Sequence, residues 1–166
     1  IYVAILDLEG KTKKQILSKI RALDLLEIDE YFKLKPEKMI PIYEKLLKSG
    51  DHVIRGFAAE AIMRFKGLIE GSDEHMKYYA FNLIGREKWK DLRGIGREAN
   101  TALRSALSDD LLEVREKAAG ALAYTGDGNT LHALKKALKT GSPALKKIVR
   151  LAIHKIEERL KHQNIS

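Results

Sequence analysis

Nine cationic side chains crowd the end of this 166-residue sequence: Lys135, Lys136, Lys139, Lys146, Lys147, Arg150, Lys155, Arg159 and Lys161 stand against only Glu157 and Glu158. Residues 128–166 therefore hold +7 of a formal net charge of +8, leaving +1 for the first 127 residues. A field of one sign concentrated at one end raises the local concentration of anionic partners and speeds encounter with them. An acidic protein and a phosphate backbone both fit such a field. Residues 128–166 contain no Phe, Tyr or Trp to stack on bases, so a nucleic acid would be held there through its phosphates.

Reaction chemistry finds few footholds. The chain has no cysteine, which removes disulfides, thiolate metal sites and cysteine nucleophiles together. His52, His75, His132, His154 and His162 lack the paired spacing of a zinc-binding helix, and neither a Gly-x-Ser-x-Gly nor a phosphate-loop sequence occurs. The pairs Asp109-Asp110 and Glu157-Glu158 fall at a helix start and on a solvent face, where structural roles suffice. Gly94-Ile95-Gly96-Arg97-Glu98-Ala99 formally matches a dinucleotide fingerprint. That motif needs a buried strand before it, and 86–93 is charged and strand-poor, so its glycines mark a bend or a helix start. The expectation is a non-enzymatic protein with no metal and no cofactor.

Hydrophobic residues make up 45% and charged residues 33% of the chain, too apolar for a disordered segment and too interrupted by charge for a membrane span. Three prolines among many Leu, Ala, Lys, Glu and Ile favour helix over a turn-rich sheet. A soluble all-α domain is expected. With no basic-then-apolar leader, a cytoplasmic setting is expected, and an opening at Ile1 suggests further residues upstream. Absent cysteine with abundant Lys and Glu also suits a protein from a hot environment.

Self-similarity organises the helices. Glu113-Val114-Arg115-Glu116-Lys117-Ala118-Ala119-Gly120-Ala121-Leu122 aligns without a gap, at a shift of 60, with the run from Val53 to Ile62. Both place Ala-Ala three residues after an Arg, then Ala and an aliphatic. A shift of 31 carries the later copy onto the run from Leu145 to Ile153, and a weaker copy spans Met76 to Ile84. Such periods fit a helical-hairpin repeat. Gly50-Asp51, Ser72-Asp73, Ser108-Asp109 and Ser142-Pro143 each supply a helix-start signal before a copy. Helices are expected near 12–27, 36–48, 52–69, 73–88, 95–107, 110–124, 128–139 and 143–161, with 1–10 open between helix and strand. Ala58, Ala61, Ala118 and Ala121 should let neighbouring helices approach, while Ile54, Ile62, Val114 and Leu122 fill the space between.

Residues 108–127, running from Ser108 through Val114-Arg115 and Ala118-Ala119 to Gly126-Asp127, resemble the second helix of a HEAT repeat of the phycobilisome-lyase type. Leu131-His132-Ala133-Leu134-Lys135-Lys136-Ala137-Leu138 resembles the first helix of the next repeat. The likeness covers 95–160 and 51–66, weakens over 72–91 and is poor before residue 35. It implies a right-handed α-α superhelix, a HEAT-like solenoid of antiparallel hairpins over 36–166, with the second helices on the concave side. Residues 1–35 would be an N-terminal capping segment or divergent repeat, or else a small helix-turn-helix or winged unit. The resemblance implies no single activity; the repeat together with the missing catalytic constellation leads to the expectation of a scaffold or adaptor that binds an acidic protein through the concave face. Nucleic-acid backbone binding through the basic C-terminal helices is the alternative. Attachment of a bilin is a third possibility and rests on the family name alone.

Two readings accompany each candidate residue. Arg55 and Arg115 either form a partner-binding row or, as the resemblance suggests, each bond the Asp of the preceding turn, here Asp51, Asp109 or Asp110. On a helical wheel Lys146, Lys147, Arg150, His154 and Lys161 fall opposite the stripe of Leu145, Val149, Ala152, Ile153, Ile156 and Leu160, as a binding face or a solvated cap. Tyr79 shares a face with Met76, Ala80 and Leu83 and is expected in the core. Tyr78, Phe81 and Trp89 are then left as packing residues or interface anchors.

Overall fold

The computed structural model of the chain describes residues 36–163. The expected helix at 12–27, the open 1–10 segment and the capping segment 1–35 lie outside the described residues. Among the described residues there are seven α-helices, two 3-10 turns and no strand. The helices are α1 (Pro36–Leu46), α2 (His52–Lys66), α3 (Asp73–Gly85), α4 (Asn100–Ala106), α5 (Leu112–Thr125), α6 (Gly128–Thr140) and α7 (Pro143–Gln163). None is long and apolar enough to cross a membrane.

Short polar side chains begin these helices because the first turn leaves backbone amides without partners. Asp51 accepts from the Val53 amide at 2.8 Å, Ser72 from His75 at 3.2 Å, and Ser142 from Leu145 at 3.2 Å ahead of Pro143. Asp127 and Thr130 cap α6 reciprocally, a capping box that supplies the helix start where the repeat pattern lacks a proline. Asp109 accepts from the Leu111 amide at 2.9 Å, so α5 starts two residues later than its Ser-Asp signal suggests.

The helix expected over 95–107 is shorter. Two 3-10 turns, Asp91–Gly94 and Gly96–Ala99, precede α4, and Gly96 takes φ 72°. A left-handed residue cannot continue a right-handed helix, so the bend read from Gly94 and Gly96 delays the helix to Asn100. Gly67 at φ 56° ends α2 in the same way, short of the expected residue 69. The helix expected over 73–88 stops at Gly85, two residues before Glu87 takes φ 57°.

Packing follows the chain and then doubles back. α1 lies on α2, α2 on α3, α3 on α4, α4 on α5 and α6 on α7; in addition α4 meets α6 and α5 meets α7. The last four helices thus make two hairpins side by side. Asn100 at the start of α4 and Thr125 at the end of α5 exchange hydrogen bonds of 3.0 and 2.8 Å that lock the first of these hairpins. Arg159 of α7 donates to the carbonyls of Ala123 and Gly126 at the C-terminus of α5, so one of the nine cations serves packing. Leu145, Val149, Ala152 and Ile156 are buried along α7 as their spacing requires. Each large apolar side chain so buried contributes roughly 1.5–3 kcal/mol.

Small residues decide how closely the helices approach. Ala58, Ala59, Ala118 and Ala119 are fully buried and Ala61 nearly so, whereas Ala121 is only half-buried. The tightest contact is glycine on glycine: a Cβ placed on Gly56 of α2 would lie 2.8 Å from the Gly85 Cα of α3, and the reverse distance is the same. Ring packing of Tyr43 against Phe57 and Phe65, at 5.9 and 5.8 Å between centroids, fixes α1 on α2.

Candidate functional site

A groove of about 500 Å³ opens where α4, α5 and α6 meet near the start of α7. Arg104, Arg115, His132 and Lys136 rim it over an apolar floor that includes Leu107 and Leu145. No carboxylate lines it. Arg115 is held by donating to the carbonyls of Asp109 at 2.5 Å and Asp110 at 3.3 Å, so the turn before α5 positions it. Arg104 donates to Thr101 Oγ1 at 3.3 Å and pairs at 3.9 Å with Asp127, a long contact between partly exposed groups. His132 and Lys136 sit one helical turn apart on the exposed side of α6. Such a rim offers charged and hydrogen-bonding groups to carboxylates or phosphates, and the apolar floor takes the methylene or sugar surface between them.

The cations expected to act together are divided by the fold. Arg115 and Lys136 enter the groove; Lys147 and Arg150 lie exposed on α7, and Lys146 is half-buried there. Lys135 approaches Glu157 across the α6/α7 hairpin at 3.9 Å, and Lys139 is exposed in the last turn of α6. Arg55 is 1% exposed and presents no surface to a partner. Its guanidinium donates to Asp109 Oδ2 at 2.8 Å and to the Ser49 carbonyl at 2.6 Å. The partner is an Asp from the turn before α5, 54 residues on, not the Asp51 of its own turn.

His52 completes that buried cluster. Its Nδ1 lies 3.4 Å from Asp109 Oδ2 and 4.0 Å from Asp51 Oδ1, and its Nε2 lies 3.6 Å from Glu87 Oε1. Hydrogen-bond geometry is met at neither nitrogen, so these are ion-pair contacts. Pairing with Asp109 raises the imidazole above its ordinary 6.5, against the opposing pulls of burial and Arg55. Burial alone would push the Asp109 carboxyl up. Together His52, the Leu111 amide and Arg55 outweigh burial and hold it below 3.8. Backbone bonding from Asp110 to Gly50 at 2.9 Å runs beside this cluster, which joins the turn before α2 to the turn before α5. Its placement is that of a structural clasp.

The aromatic expectations are reversed in part. Tyr78 and Phe81 are 8% and 5% exposed and belong to the core, so they do not serve as interface anchors. Tyr79, expected inside, is 37% exposed and stacks on His75 at 5.7 Å. The cause is that α3 is covered by α2 on one side and α4 on another, leaving an outward strip on which Tyr79 falls. Trp89 is half-buried and lines a second cavity, of about 540 Å³, with Lys117, Gly120, Ala121 and Tyr124. Its indole Nε1 has no hydrogen-bond partner among the described residues. Lys117 Nζ lies 5.8 Å from the Trp89 ring centroid, and Lys155 Nζ lies 4.6 Å from that of Tyr124.

Reading the sequence in a line thus missed Arg104, His132 and Tyr124 as surface groups of interest. Only the α4 to α6 contact brings Arg104 to His132. For Tyr124 a signal was present, since it lies seven residues after Lys117 on one helix face. Among the described residues no cluster of three His, Asp or Glu side chains could hold a metal ion. No protein-family model, curated protein or solved structure matches the chain.

Proposed function

We propose that this chain is a non-enzymatic HEAT-like helical-repeat module, a scaffold that binds an acidic macromolecular partner. The observation that carries the proposal is the groove rimmed by Arg104, Arg115, His132 and Lys136 with no carboxylate in its lining. The side-by-side hairpins α4/α5 and α6/α7, with like helices in contact, are the arrangement expected of a solenoid, and the Ala-Ala recurrence supports that reading of the whole repeat region. An acidic protein segment fits the groove by charge, and the flexible Lys136 beside the fixed Arg115 suits carboxylates presented at variable spacing.

Nucleic-acid binding is a second reading, favoured by a separate observation: the two aromatic-lysine pairs at Trp89 and Tyr124. The two readings use different surfaces, which makes them separable. Replacing Arg104 and Lys136 together by Glu is expected to weaken an acidic partner about tenfold or more, because like charges across an interface cost several kcal/mol. Replacing Lys147, Arg150 and Lys155, the exposed cations of α7, by Glu should instead weaken nucleic-acid binding about tenfold or more. Fluorescence anisotropy with a labelled polyglutamate peptide and a labelled oligonucleotide checks both. Failure of both probes to bind the wild type at low salt would remove the proposal.

A further inference from the structure

We propose that the surface shared by α5, α7 and the turn ahead of α4 is a stacking platform for single-stranded nucleic acid, on which Trp89 and Tyr124 take bases while Lys117 and Lys155 take phosphates. The inference rests on the nucleic-acid reading and adds the strand state and the residues that select it.

Three observations converge. Tyr124 is 72% exposed, although its helix is buried on its other side through Val114, Ala118 and Leu122. Folding leaves this ring in water, where it contributes little to stability and keeps a face free. Each of the two rings also carries its own ammonium group, at 4.6 Å for Tyr124 and 5.8 Å for Trp89. Lys155 is 31 residues from Tyr124, and Lys117 is 28 from Trp89, so these pairs are made by the packing of elements. The aromatic-cation alternation missing from residues 128–166 as a linear string is therefore assembled in space.

Gly120 supplies the third observation. It lies inside α5 between Lys117 and Tyr124, its φ is not in the left-handed region, and a Cβ there would meet nothing within 4 Å. Neither a turn nor a close contact requires glycine at this position. Its absent side chain keeps the floor of the 540 Å³ cavity between the two rings open.

Charge selects the occupant. Among the described residues Lys147, Arg150 and Lys155 make no ion pair with a carboxylate, and all three are exposed on α7. Lys117 pairs with Glu113 at 2.7 Å, but both are exposed, and such a pair is weak enough for a phosphate to displace. An acidic peptide would satisfy the lysines and leave the rings and the cavity unused. A single strand presents base faces and phosphates in alternation and uses all of them. A duplex hides its base faces inside the stack, so it meets the lysines alone.

The test uses the full chain and anisotropy of three labelled probes at low salt: oligothymidylate, its duplex with oligoadenylate, and polyglutamate. The expected order is single strand tighter than duplex. Tyr124→Ala should weaken the single strand about tenfold and leave the duplex unchanged, while Tyr124→Phe keeps the wild-type affinity. Gly120→Met, whose Cβ meets no atom within 4 Å and whose side chain adds bulk at the cavity lining, should give a similar loss with an unchanged circular dichroism spectrum. Equal affinity for single strand and duplex, or wild-type binding by both Tyr124→Ala and Gly120→Met, overturns the platform while leaving the nucleic-acid reading standing. Binding of polyglutamate alone overturns both.

Discussion

The buried cluster of His52, Arg55 and Asp109 shows how much depends on single atoms. Arg55 and Asp109 are each 1% exposed, and a buried charge that loses its partner is left without solvent or counter-charge. Asp109→Ala should therefore cost about 3–5 kcal/mol in urea unfolding near pH 6, far more than a surface substitution. The same cluster sets a pH dependence. Its histidine is raised above 6.5 in the folded chain, so its contribution is complete below 6.5 and is lost as pH climbs through the raised native value. The carboxyl of Asp109 is held below 3.8, so its contribution is present above 3.8 and is lost as pH falls through the lowered native value. Between 3.8 and 6.5 both act, and the charged groups facing His52 there are Asp51, Glu87, Asp109 and Arg55. The wild type should lose stability from pH 6 to 8, and the Asp109→Ala variant should show a flatter profile over that range. An unchanged slope in the variant would show that the dependence arises elsewhere. Sequence alone suggested an Arg to Asp bond within the preceding turn, which for Arg55 means Asp51; the actual partner, Asp109, is chosen by a contact between turns 54 residues apart.

At the level of elements, glycine has opposite meanings in two helices. Gly56 and Gly85 let α2 and α3 touch backbone to backbone, and a methyl on Gly56 would sit 2.8 Å from Gly85 Cα and 3.1 Å from the Phe81 carbonyl oxygen. Gly56→Ala should destabilise by about 1–3 kcal/mol in spite of better helix propensity, since backbone on both sides prevents relief. By contrast Gly120→Ala meets open space and should stabilise by roughly 0.5–1 kcal/mol. Thermal melts of the two variants check the sign; a shift in the same direction for both would contradict this picture of the packing. Periodicity and cap residues made most helices legible, because the Ala-Ala recurrence and Asp51, Ser72 and Ser142 act locally. The role of Gly56 was not legible. It occupies a position that is Glu116 in the later copy, so the repeat pattern carries no sign of a close contact there. The face of α3 was misassigned for a related reason: Tyr79 and Tyr78 are equally apolar, and only the positions of α2 and α4 decide which is covered.

At the level of the whole molecule, the charge asymmetry of the sequence survives folding but is redistributed. Lys136 joins Arg104 and Arg115 around a groove, Arg159 is consumed at the end of α5, and Lys155 joins Tyr124 on another surface. Counting charge along the chain could show that an anion is favoured at the C-terminal end. It could not show where, since two of the four groove residues and both platform rings precede residue 128. The most direct measurement for an anion-binding module is the affinity of the full chain for oligothymidylate and polyglutamate as salt is raised from about 50 to 200 mM. The expected result is binding of at least one probe at low salt with a steep log-log loss. Neutralising four phosphates of a single strand gives a slope near −3 and about a fiftyfold weakening over that range. Binding that is indifferent to salt, or absent for both probes at about 50 mM, would contradict the assignment of these cationic surfaces to an acidic partner.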